Sequence, residues 1–166
     1  MSNTATFKGT EVSLSGTFPS VGDGVKDFTV VGADLSEVKL SSLKGKKVIL
    51  NTFPSIDTPV CALQLKQFSQ MVSGNDNVVL LFVAQDLPFA FGRFCAAEGI
   101  ENALTTSDFR YGEAADSLGV LIKSGVVSGL LARSVLVLDE EQNVIHSELV
   151  AEITEEPDYK AALAAI

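Results

Sequence analysis

The sequence predicts an α/β protein in which helices cover both faces of a central sheet. Two apolar runs carry this prediction, because residues 47–53 and 77–84 have the length and near-continuous hydrophobicity of strands that are buried on both faces. Each run is followed by a segment with apolar residues at helical spacing, residues 58–71 and 87–99. Strands that alternate with helices in this way are typical of a layered α/β sheet.

The remaining segments complete the order of elements. Residues 6–14 alternate around Gly9 and predict an N-terminal hairpin, within an extension formed by residues 1–17. The pattern further predicts short strands at 28–31 and 38–40, an edge strand at 103–105, a helix at 111–118, a hairpin from 133–139 and 144–150, and a terminal helix at 157–166 whose start is capped by an acidic cluster at 152–158. This order favours a thioredoxin-like fold with a central mixed sheet, flanking helices and an N-terminal β-hairpin, in one domain spanning residues 1–166.

Composition and charge exclude several classes of partner. The chain has 166 residues and a net charge of −9, so no basic stripe is available for nucleic acid or for an anionic membrane surface. No apolar run approaches the roughly 20 residues of a membrane span. The first residues contain no basic region followed by an apolar run, so we expect no secretory signal and a cytoplasmic location.

The chain contains two cysteines, Cys61 and Cys95, and one histidine, His146. In a cytoplasmic protein such a pair is more typical of catalysis or redox chemistry than of a permanent disulfide. Two cysteines 34 positions apart and one histidine do not make a four-ligand zinc site, so we expect no metal.

Cys61 lies where the first buried strand gives way to a helix. Thr58 is predicted as the N-cap and Pro59 as the first helical residue, which makes Cys61 the third. Unpaired N–H groups and the positive end of the helix dipole favour a thiolate at this place. The alternative is that Cys61 is an inert, buried small hydrophobe.

Three neighbours could complete a site around this sulfur. Pro54 bends the chain out of the strand and could shield the sulfur from water, and Thr58 could donate its hydroxyl toward it. Arg133, at the start of a strong strand, is the candidate cation that would stabilise the thiolate if it reaches Cys61; otherwise it is a surface arginine. The carboxylate of Asp57 opposes a thiolate, so we expect it to point elsewhere, toward free N–H groups of the turn.

Cys95 lies on the second predicted helix. A disulfide requires Cα atoms about 4.4–6.8 Å apart, which residues on two separate helices rarely satisfy without local unwinding. The alternative is that Cys95 is a packed core thiol. Phe89, Phe91 and Phe94 could form an apolar rim that favours alkyl hydroperoxides, or could simply pack their helix.

The segment from Pro54 to Cys61 matches the pattern Pro-x-x-x-Thr-x-x-Cys of the peroxiredoxins. Together with further stretches, the chain most resembles the bacterial thiol peroxidases, which are atypical two-cysteine peroxiredoxins. The supporting stretches are residues 53–61, 86–90, 93–95, 97–99, 132–133 and 152–159, and the N-terminal hairpin also fits.

This resemblance implies a role for each candidate residue. Cys61 would be the peroxidatic cysteine, attacking hydrogen peroxide or an alkyl hydroperoxide to form a sulfenic acid. Thr58 and Arg133 would orient the peroxide and Pro54 would shield the site. Cys95 would be the resolving cysteine, which forms an intramolecular disulfide with Cys61. Thioredoxin would then reduce this disulfide. A homodimer is implied, with no metal or organic cofactor.

Two other functions are compatible with the same residues. A redox sensor or partner-binding module would use the disulfide to switch a surface, with slow peroxide reaction. A disulfide oxidoreductase is less favoured, because the chain contains no Cys-x-x-Cys motif.

Overall fold

The computed structural model describes residues 3–166 and contains a seven-stranded mixed sheet preceded by a two-stranded hairpin. The strands are β1 (Thr4–Phe7), β2 (Thr10–Ser13), β3 (Thr29–Gly32), β4 (Glu37–Lys39), β5 (Lys47–Thr52), β6 (Val78–Ala84), β7 (Ala103–Ser107), β8 (Ser134–Leu138) and β9 (Val144–Leu149). The helices are α1 (Pro59–Met71), α2 (Pro88–Glu98), α3 (Glu113–Leu118) and α4 (Tyr159–Leu163), with a 3₁₀ turn at Leu40–Leu43. The predicted fold class is confirmed, while residues 1 and 2 of the expected extension lie outside the described residues.

The sheet has the order β4-β3-β7-β6-β5-β8-β9. The three strands β5, β6 and β7 are parallel, and β8 closes antiparallel against β5. The predicted edge position of residues 103–105 is wrong, since β7 pairs with β6 on one side and with β3 on the other. The hydroxyl residues of β7 make it resemble an exposed strand in the sequence, although they are buried in the structure. The buried hydroxyl of Thr106 has a hydrogen-bond partner, because it donates to the carbonyl of Phe82 at 2.8 Å.

Alternate residues of β5 enter two different cores. Val48 and Leu50 face the side covered by the hairpin and α3, whereas Ile49 faces the side covered by α1, α2 and α4. This alternation follows from the two-residue period of a strand. Cys61, on the inner face of α1, therefore belongs to the second core.

The end of the chain differs from its prediction. The terminal helix spans Tyr159–Leu163 and not the whole of 157–166. An acidic cluster was expected to cap this helix. Asp158 does cap it, by accepting from the N–H of Ala161, but Glu152 instead accepts from the N–H of Gly9 in the N-terminal hairpin. Within residues 3–166, no helix is long and apolar enough to cross a bilayer.

Candidate active site

Cys61 lies in the first turn of α1 and its side chain is completely buried. Pro59 occupies the first helical position, as predicted, and Thr58 occupies the N-cap position. The predicted capping bond of Thr58 is nevertheless absent, because its hydroxyl donates to the carbonyl of Ser55 at 2.8 Å. Thr58 therefore closes the turn that precedes the helix and leaves the first N–H groups of α1 without a side-chain cap.

Arg133 is the buried cation that reaches this sulfur. Only 2% of the residue is exposed, and its Nη2 donates to Cys61 Sγ at 3.3 Å. Nε donates to the carbonyl of Ile153 at 2.8 Å, and Nη1 donates to Gln64 Oε1 at 2.9 Å. Among the described residues, no carboxylate forms a salt bridge with this guanidinium. A buried charge is costly without hydrogen-bond partners, and the guanidinium meets this cost with three acceptors, of which Cys61 Sγ is one.

Gln64 links this arginine to the centre of the sheet. Its Nε2 donates to Asn51 Oδ1 at 2.8 Å, and Asn51 Nδ2 donates to two strand carbonyls, of Ile49 and Leu81, at 3.3 Å each. Both amides are fully buried. Sequence reasoning missed this pair. The available signal was that Gln64 stands three positions after Cys61, on the same helix face, between apolar residues.

Asp86, in the connection between β6 and α2, holds the loop between β5 and α1. One carboxylate oxygen of Asp86 accepts from the Ser55 hydroxyl at 2.7 Å and the other accepts from the Ile56 N–H at 2.8 Å. Asp57 points away from the site, as expected, but the expected partner is wrong, because it pairs with Arg93 at 2.9 Å on the surface.

An apolar pocket of about 280 Å³ opens beside Arg133. Pro54, Thr58 and Val60 line it from the loop and α1, while Phe7 lines it from the hairpin and Leu130 from the segment before β8. Pro54 is buried at this wall. The site thus combines a buried sulfur, a buried cation and an apolar pocket beside that cation.

The expected phenylalanine rim is placed differently. Phe91 is fully buried in the core, and Phe89 is 66% exposed on a separate groove. The aromatic wall of the Arg133 pocket is Phe7, because the hairpin packs over this end of the sheet.

Cys95 lies in the C-terminal half of α2 and is partly exposed. Burial raises the pKa of its thiol, and a hydrogen bond with the Thr105 side chain opposes that shift. Both cysteines are free thiols in this structure. Each stands inside a continuous helix, Cys61 in α1 and Cys95 in α2.

Comparison with known proteins gives the family of this chain. Residues 20–163 match the family model described as Redoxin. The chain is 46% identical over 160 residues to a thiol peroxidase of Corynebacterium glutamicum, covering 96% of each protein, and 45% identical to one of Vibrio cholerae, covering 96% of this chain and 98% of that one. A crystal structure of a peroxiredoxin-like protein from Aquifex aeolicus is 40% identical, with a TM-score of 0.93 over 99% of this chain and 95% of that one.

The chain therefore belongs to the redoxin family. Within that family, the similarity to thiol peroxidases extends over nearly the whole length and confirms the resemblance expected from the motif at 54–61.

Proposed function

We propose that this protein is a thiol peroxidase that reduces hydrogen peroxide and alkyl hydroperoxides with Cys61 as its nucleophile. The observation that carries the proposal is the contact of 3.3 Å between Cys61 Sγ and Arg133 Nη2, at a buried site beside an apolar pocket. The pocket suits the organic part of an alkyl hydroperoxide, and the guanidinium suits the charge that moves during the reaction.

In the first step the Cys61 thiolate attacks the terminal oxygen of the peroxide. A sulfur–oxygen bond forms as the oxygen–oxygen bond breaks, and the departing alkoxide or hydroxide takes up a proton. The products are a sulfenic acid on Cys61 and an alcohol or water. Arg133 stabilises the negative charge as it passes from sulfur to the leaving oxygen, and the Thr58 hydroxyl oxygen accepts from the incoming OOH group.

In the second step Cys95 resolves the sulfenic acid. Its thiol attacks the sulfur of Cys61, water leaves, and an intramolecular disulfide forms. Since both cysteines belong to helices, α2 opens locally before the sulfurs meet. Gly92 favours such opening, because glycine lowers the stability of a helix interior by about 1 kcal/mol relative to alanine. A thioredoxin-type dithiol then reduces the disulfide and returns both thiols.

A cytoplasmic homodimer is the assembly we expect. The surface beside the Asp86-anchored loop carries exposed apolar side chains, of which Leu87 is 46%, Phe89 66% and Phe109 68% exposed, around an open groove. A second copy would cover such a patch. Sedimentation velocity tests this expectation, and a monomer at all concentrations would contradict it.

Single-turnover kinetics of two cysteine variants test the chemistry. We expect Cys61→Ser to abolish peroxide consumption, whereas Cys95→Ser reacts once and stops at the sulfenic acid. Reduced protein mixed with one equivalent of cumene hydroperoxide should lose both thiols and two hydrogens in mass while remaining one chain. Retained turnover in Cys61→Ser would refute the proposal, and slow oxidation of the wild type would favour a redox sensor.

A further inference from the structure

Glu152 accepts five hydrogen bonds from two separate segments of the chain. Its two carboxylate oxygens receive the Thr6 hydroxyl at 2.9 Å, the Lys8 N–H at 3.1 Å and the Gly9 N–H at 2.8 Å. They also receive the N–H of Thr154 at 2.9 Å and its hydroxyl at 2.6 Å. The carboxylate therefore joins the turn of the N-terminal hairpin to the segment that follows β9.

The hairpin turn is shaped to make this contact. Lys8 and Gly9 both have positive φ, 51° and 81°, and this left-handed pair aims two successive N–H groups at one anion. The hydroxyl of Thr154 is the main cause that lowers the pKa of Glu152 to about 2, with the hairpin donors adding to it. The group is consequently an anion at neutral pH.

The residue after Glu152 connects this joint to the active site. The N–H of Ile153 donates to the carbonyl of Thr6 at 2.8 Å, and its own carbonyl accepts from Arg133 Nε at 2.8 Å. On the other side of the joint, Phe7 and Lys8 form the hairpin wall of the pocket. The Glu152 carboxylate thus lies between the Ile153 carbonyl, which accepts from Arg133, and the hairpin wall of the pocket formed by Phe7 and Lys8.

We propose that Glu152 is a positioning residue of the peroxidase site, which holds the hairpin wall against the pocket and the Ile153 carbonyl against Arg133. The proposal rests on the proposed function, since it assigns the residue a part in that same reaction. It makes Glu152 a determinant of the preference between bulky and small peroxides. A hydroperoxide with an organic group contacts the Phe7 wall, whereas hydrogen peroxide is too small to need it.

A carboxylate is needed here for its acceptors. Glutamine would replace one oxygen by an NH₂ group, which is a donor facing the N–H groups of Lys8, Gly9 or Thr154. At least one of the five hydrogen bonds would be lost, because a backbone N–H, unlike a threonine hydroxyl, cannot turn to accept from the NH₂ group. Two donors would then face each other. The hairpin turn would be released while the volume of the side chain stayed the same.

The test compares Glu152→Gln with Glu155→Gln, a matched control that removes the same charge from an exposed neighbour in the same segment. The measurement is the second-order rate constant of Cys61 oxidation by cumene hydroperoxide and by hydrogen peroxide. We expect Glu152→Gln to lower the cumene-to-hydrogen-peroxide ratio by about tenfold, together with a smaller loss for hydrogen peroxide through Arg133. Glu155→Gln should keep the wild-type ratio.

The outcomes separate this proposal from the proposed function. A wild type that does not consume peroxide would refute the function itself. An active wild type, with Glu152→Gln equal to Glu155→Gln or losing both substrates in the same proportion, would overturn the role of Glu152 alone. If Glu152→Gln does not fold, Thr6→Val decides, since it removes one donor to the carboxylate. It should lower the ratio by about two- to threefold, and an unchanged ratio would overturn the proposal.

Discussion

Replacing Gln64 by methionine removes the amide between Arg133 and the central strands while keeping the length of the side chain. Two buried polar groups then lose a partner, Arg133 Nη1 and Asn51 Oδ1. Asn51 cannot compensate by rotating its amide, because its NH₂ group already serves the carbonyls of Ile49 and Leu81. A buried group left unsatisfied costs about 1–3 kcal/mol, and more when it is charged, so we expect a loss of about 3–5 kcal/mol. That is a large share of the roughly 5–15 kcal/mol that stabilise a typical domain.

The same substitution should slow the first chemical step. Arg133 keeps its hydrogen bonds to Ile153 and Cys61 but loses the bond from Nη1 to Gln64. The lost bond helps to fix the orientation of the guanidinium. If the resulting misplacement removes about 1.4 kcal/mol of transition-state stabilisation, Cys61 oxidation slows about tenfold. Urea unfolding measures the stability, and stopped-flow oxidation of the folded fraction measures the rate.

Gln70→Met is the matched control, because Gln70 is exposed on the same helix. It should retain both the stability and the rate of the wild type. A Gln64→Met variant that behaves like this control would refute the reasoning, since Arg133 would then be held without the buried amide pair.

Two further predictions follow from single side chains. Arg133→Lys should slow Cys61 oxidation at least about 100-fold in stopped-flow measurements, because the single nitrogen of lysine cannot reach three acceptors that three separate nitrogens of the guanidinium contact. A near-normal rate would contradict the role of the guanidinium. Burial raises the pKa of Asp108 from 3.8 to about 6. The folded state therefore holds this proton more tightly, which contributes stability that is complete below about pH 3.8 and is lost as the pH rises through about 6. Urea unfolding of Asp108→Asn across that range should lack this decline, and an unchanged slope would show that Asp108 is not its cause.

The sequence predicted the parts of the molecule that depend on local pattern. The buried run at 47–53 has the length and hydrophobicity of a central strand, and Pro59 marks the first residue of α1. The order of residue types alone therefore places the motif around Cys61 at a strand-to-helix junction. The roles assigned to its residues stay predictions until the variants are measured.

The distant partners depend on strand pairing, which local pattern does not specify. Arg133 meets a cysteine 72 positions away because β8 pairs antiparallel with β5, with Ser134 opposite Thr52. This register places residue 133 beside the C-terminal end of β5, where the chain leads into α1. Gln64 was missed and Glu152 was expected only to help cap the terminal helix, since the partners of a polar residue are known only once the chain is folded. The interior place of β7 escaped prediction because its threonines resemble those of an exposed strand.

The complete burial of Cys61 determines which molecules can compete for its oxidised form. The pocket beside Arg133 would admit a small peroxide to the site, whereas the sulfur of Cys61 offers no exposed surface to a thiol in the solvent. In the proposed cycle the sulfenic acid would therefore react with a thiol of its own chain. Electrons from outside would enter through Cys95, which is partly exposed. Oxidant and reductant would then use different entrances to the same molecule, and the proposed opening of α2 would connect them.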